Sequence, residues 1–131
     1  MNGSINDGLF GDGGVDLMGC ELSLEEALIA ARKHCKWMPL CVVEKWVILD
    51  AIVTNAEREK IVALGCLPVF LFAQRVVHDE QRRFEPGHWV RSSMATSFKE
   101  GFMFATRNTV YVLIGWGQRK RSSIDEIFSI C

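Results

Sequence analysis

This 131-residue chain is short of several things that would identify it quickly. It has no long apolar run. The longest, Leu64 to Ala73, is broken by Gly65 and Pro68 and is too short to span a bilayer. The opening residues, MNGSINDGLFGDGG, lack the basic n-region and hydrophobic segment of a secretory leader. A cytoplasmic protein with no membrane association is the expectation. The five cysteines are odd in number and include no C-x-x-C pair, so free thiols are expected rather than a disulfide framework. His34-Cys35 near Cys41 is half of a zinc ligand set without its other half. No metal and no cofactor are expected.

Catalytic signatures are missing too. His34, His78, His88, Ser92, Ser93 and Asp79 supply the side chains of a nucleophilic site, but none lies in a nucleophile elbow. His78-Asp79 reads as a solvated turn. Gly11-Asp12-Gly13-Gly14 does not join a strand to a helix, and there is no P-loop. The chain reads as a non-enzyme. It shows no helix-turn-helix, no ribonucleoprotein motif and no internal repeat.

What is present is the balance of a soluble globular domain: 49% hydrophobic and 24% charged residues. The net charge of −1 hides an asymmetry. Residues 1–26 hold six acidic and no basic residues, a net of −6, whereas residues 74–121 hold nine basic and four acidic, a net of +5. Residues 1–19 contain six glycines and few large apolar groups, which predicts a flexible acidic arm. Residues 20–131 are read as a single domain.

Within that domain, Ser23-x-x-Glu26 is a capping box, followed by Leu24, Ala27, Leu28, Ala31 and Cys35 at helical spacing. A helix over 23–36 is predicted, stopped by Pro39. Cys41 to Val53 reads as a largely buried strand, interrupted only by Glu44, Lys45 and Asp50, with a helix as the alternative for its second half. Trp37 and Trp46, in apolar surroundings, are assigned to the core. Thr54-x-x-Glu57 opens a second helix through Leu64, and Pro68 to Val77 reads as another strand. That order allows either a right-handed parallel crossover or a packed α+β arrangement.

From His88 the pattern becomes a meander: His88–Ser93, Phe102–Thr106 and Thr109–Gly115, separated by turn residues. In the last segment Val110, Val112 and Ile114 alternate with Tyr111 and Leu113, so both faces are apolar and a central strand is expected. The tail from Gln118 begins polar and basic and ends in a short docked helix carrying Ile124, Ile127, Phe128 and Ile130. The fold class expected is α+β. It comprises a mainly antiparallel sheet with a C-terminal three-strand meander, packed by two short helices of the N-terminal half.

Arg83-Phe84-x-x-Gly87-x-Trp89-Val90-Arg91-Ser92-Ser93, with Thr106-Arg107-Asn108-Thr109-Val110-Tyr111-Val112-Leu113-Ile114-Gly115-x-Gly117, resembles a small uncharacterised domain family of Pseudomonas and related bacteria and their mobile elements. The resemblance spans roughly residues 60–121. It implies a bacterial or phage origin and transfers no catalytic residue.

Arginine and tryptophan are preferred anchors at protein interfaces. The candidate partner-binding residues are therefore Arg83, Trp89, Arg91, Arg107 and Trp116. The expected function is a non-catalytic protein-binding module, an accessory protein that inhibits or modulates a host complex. The alternative is nucleic-acid binding through a basic, aromatic-bearing sheet face. A sequence pI of about 6.3 weighs against that alternative.

Overall fold

Everything in this domain is arranged around one strand. The computed structural model describes residues 14–130, and its longest element is β2 (Leu40–Ile52). On one side β2 pairs antiparallel with β3 (Val69–Asp79), from Cys41 opposite Asp79 to Asp50 opposite Val69. On the other side it has two partners in succession, and both run parallel to it. The first is β7 (Val110–Leu113), against Leu40–Val43. The second is β8 (Trp116–Ser123), against Trp46–Ile52. Outward from β7 lie β6 (Met103–Ala105) and β5 (Ser97–Lys99), both antiparallel. Outward from β8 lies β1 (Val15–Met18), also antiparallel. β4 (Val90–Arg91) pairs with β3.

The sheet curls because one strip of chain joins its two sides. Residues 90–99 contact β3 at their start and β6 at their end. Ser92 N–H donates to Leu71 O at 2.8 Å and Ala95 N–H to Val69 O at 2.9 Å, while Thr96 N–H donates to Ala105 O at 2.7 Å. The eight strands of the described residues thus form one curled mixed sheet.

This overturns the mainly antiparallel expectation. The residues responsible are WGQRKRSS, found as β8, of which those from Gln118 on read from sequence as the polar start of the tail. Its apolar content is too low to announce a strand, and backbone pairing with β2 makes it one. Together β7 and β8 give β2 a wholly parallel flank. The meander also differs: it is β5–β6–β7, and the segment around Val90 pairs instead with β3. No parallel crossover joins β2 to β3. The helix between them, α2 (Asn55–Ala63), has no buried residue and so no face with which to cross the sheet.

The helices follow from their capping chemistry. α1 (Leu24–His34), α2 and α3 (Ile124–Phe128) each start at a complete capping box, with Ser23, Thr54 and Ser123 as N-caps and Glu26, Glu57 and Glu126 reaching back. α1 buries Ala27 and Ala31 over Leu40, Val42, Val110 and Val112. α3 buries Ile127 over Val47, Leu49, Phe70 and Phe72. The packing helices are therefore α1 and α3, not the two of the N-terminal half. Inside the curl, Cys41, Val43, Trp46 and Ile48 of β2 meet Leu71, Val76, Phe104, Tyr111 and Leu113. Burying both faces of β2 requires the nearly continuous apolar sequence that it has.

Residues 15–18, inside the expected arm, form β1, and Leu17 packs against the inner core. The remainder of the arm, 1–13, lies outside the described residues.

Candidate functional site

Three neighbouring strands break at the same level. On β2, Val43 and Trp46 both face inward although three residues apart, and Lys45 absorbs the extra residue with φ of +52°. On β3, Ala73 and Val76 both face inward, with exposed Gln74 and Arg75 between them. Along β7 and β8, the register against β2 slips by one residue between Leu113 and Gly117, and Gly115 takes φ of +71°. The result is a crease across the outer surface of the sheet.

Two open clefts of about 420 and 480 Å³ meet there, and both are lined by Lys45 and Trp116. The indole of Trp116 is 64% exposed although it sits on a strand. It cannot turn inward, because the neighbouring Gly117 already lies against the buried Trp46 ring; a Cβ on Gly117 would come within 2.2 Å of that ring. Met18, Leu22 and Ile114 form the apolar wall of the first cleft.

Charge around the crease is mixed. Glu44 pairs with Arg75 at 3.5 Å. Asp16 accepts a hydrogen bond from Gln118 Nε2 at 3.3 Å. Glu21 lines the first cleft. Lys45 is exposed, and among the described residues no carboxylate pairs with it.

The five residues singled out from sequence go to several places. Trp116 is in the crease. Arg83 is held internally: it contacts buried Asp79 through Nε and Nη2, both at 3.2 Å, and donates to Thr109 Oγ1 at 2.7 Å. Burial pushes the Asp79 carboxyl up, but the Arg83 side chain and the backbone N–H groups of Gln81 and Arg83 outweigh it and hold Asp79 below its usual value. Trp89 and Arg91 come together beside β3. Trp89 rests on Phe72, with ring centroids 5.9 Å apart. Arg91 lies 4.7 Å over the Phe128 ring and donates to Ile127 O at 3.4 Å, tying α3 to β4. Arg107 donates to Leu64 O at 2.7 Å, satisfying a carbonyl at the end of α2.

Trp37 is not in the core. It is 93% exposed, in the bend between α1 and β2. Cys35 and Met38 take the packing positions under α1. An apolar neighbourhood in sequence does not bury a residue beyond the last helical turn.

The nucleophile candidates are occupied or inert. Ser92 Oγ donates to Ser93 O at 2.7 Å and accepts from Leu71 N–H at 2.9 Å, a structural role. Neither His78 nor His88 hydrogen-bonds a serine or cysteine among the described residues; His88 lies 4.0 Å from Glu85. The Cys41 thiol is pushed up to about 12, first by burial and then by the charge of Asp79, so it stays protonated at neutral pH. Among the described residues no group of three or more His, Cys, Asp or Glu is placed to hold a metal ion, and no helix is long and apolar enough to cross a membrane.

A curled mixed sheet with an exposed crease defines a scaffold class, not a reaction. The chain belongs to the domain-of-unknown-function family DUF6957, whose model matches residues 18–129. No curated protein matches the chain, and no solved structure does either.

Proposed function

We propose that this protein is a non-catalytic protein-binding module and that the crease around Trp116 is its contact surface. The observation that carries this reading is an indole 64% exposed between two clefts on the sheet. Tryptophan is a preferred hot-spot residue, and large exposed aromatics on a regular element stand out against an otherwise polar surface. The chemistry of the buried thiol and of Ser92 supports a role without catalysis.

Mixed charge favours a protein over a nucleic acid. A polyanion meets Asp16, Glu21 and Glu44 at the rim of the clefts. Arg83, Arg91 and Arg107, which suggested a phosphate track in the sequence, bond within the chain. The finer reading, of an accessory protein from a bacterial mobile element that modulates a host complex, rests on the sequence resemblance alone.

The test is capture from a bacterial host extract, with and without nuclease and across a salt series, using the parent and Trp116→Ala. The expected result is a defined protein that is retained after nuclease and lost with Trp116→Ala. Material that disappears with nuclease, or whose binding falls steeply with salt, would replace this reading by the nucleic-acid one.

A further inference from the structure

We propose that Lys45 is the charge-selecting contact of the crease, and that the partner places a single carboxylate on it beside an apolar or aromatic side chain packed on Trp116. This rests on the reading of the crease as a protein-contact surface.

The argument starts from the backbone. Among the described residues three non-glycine residues have positive φ: Lys45, Arg82 and Glu100. Arg82 and Glu100 lie in connections between strands, where that conformation is ordinary. Lys45 is in the middle of a thirteen-residue strand. A left-handed conformation there is disfavoured for a residue with a Cβ, and glycine would take it without that penalty. The adjoining strand does use glycine, Gly115, at the same break. The backbone therefore needs the left-handed angle at position 45 but has no need of a lysine. A strained residue at a surface cleft points to a use for its side chain.

That use is defined by the surrounding charge. Glu44 is taken by Arg75 and Asp16 by Gln118. The Lys45 ammonium remains as the unpaired cation shared by both clefts among the described residues, and the exposed Trp116 lines the same two clefts. Complementarity to it is one negative charge. The rim carboxylates make a run of negative charges unfavourable, so the complement is an isolated acidic residue with an apolar neighbour, not an acidic tract.

Random phage-displayed peptides selected on the full-length protein test this directly. The parent is expected to enrich peptides carrying one Asp or Glu beside an aromatic or large apolar residue. Lys45→Glu should exchange that acid for Lys or Arg, and Trp116→Ala should lose the apolar preference. Titration of the strongest peptide against Lys45→Gly should show affinity weaker by up to about fivefold, the range of an exposed ion pair. The same variant should melt no lower than the parent, because glycine relieves the strain. Enrichment that depends on Trp116 but carries no acid, or an acid preference unchanged in Lys45→Glu, would overturn the proposal and leave the contact surface standing. Enrichment independent of Trp116, or none, would overturn both. If Lys45→Glu does not fold, the Lys45→Gly titration decides, and unchanged affinity refutes the proposal.

Discussion

Arg83 and Lys45 each lie in a region that also carries an aromatic side chain, and the two cations are used oppositely. At the end of β3, Arg83 lies 5.5 Å from the centre of the Phe84 ring, is bonded to Asp79 and reaches Thr109 at the start of β7. Its donors are directed into the protein. At the crease, the side chains of Lys45 and Trp116 are exposed and, among the described residues, make no hydrogen bond or ion pair. The first arrangement closes the fold by fastening β3 to the β6–β7 turn. The second is the contact surface proposed above. Residue type alone does not separate scaffold from contact surface; what separates them is where the polar atoms find partners.

The largest expected effect comes from breaking the scaffold. Arg83→Ala leaves the Asp79 carboxylate buried without its main partner and should cost about 2–4 kcal/mol, at the lower side of a broken buried pair because Arg83 is partly exposed. Denaturant midpoints measure it. The pH dependence sharpens the same point. The folded-state pKa of Asp79 is lowered, so its contribution is fully present above its unfolded value of about 3.9 and is lost as pH falls through the folded value. The stability gap between the parent and Asp79→Asn should therefore narrow as pH is taken from about 5 towards 2. A gap that stays constant would show that Asp79 contributes no ionised interaction.

Helix caps come next. Ser23→Ala should destabilise by about 0.5–2 kcal/mol, because α1 covers core. Thr54→Ala should cost less in global unfolding, because fraying α2 uncovers no buried residue. Equal losses would mean that α2 is integral to the cooperative unit. At the crease the effects on folding should be smallest. Lys45→Gly is expected to change stability by less than about 1 kcal/mol, in the stabilising direction, the strain relieved being offset in part by unfolded-state entropy. Trp116→Ala should stay within about 0.5 kcal/mol of the parent, as surface changes usually do.

Much of the scaffold was legible in the sequence because it obeys local rules. The first two capping boxes located α1 and α2 through single side-chain contacts three residues apart. The alternation from Val110 to Ile114 placed β7 between two apolar layers, as found. β8 was illegible because its strand character comes from pairing with β2, not from its own residues. The parallel flank, and with it the fold class, was misjudged for that reason. The crease was half legible. Trp116 was among the candidates, and Glu44-Lys45 was visible as a polar interruption in an apolar run. Yet Lys45, Gln74 and Trp116 lie on three different strands and meet only after folding, so no motif spans them.

The most direct test of the division between scaffold and contact surface is amide hydrogen exchange on the protein alone and with its captured partner. New protection on binding is expected at residues 44–46, 74–75 and 114–118, with exchange around 79–84 and 109–111 unchanged. Protection centred on the Asp79–Arg83 region, with the crease exchanging as in the unbound protein, would contradict the account.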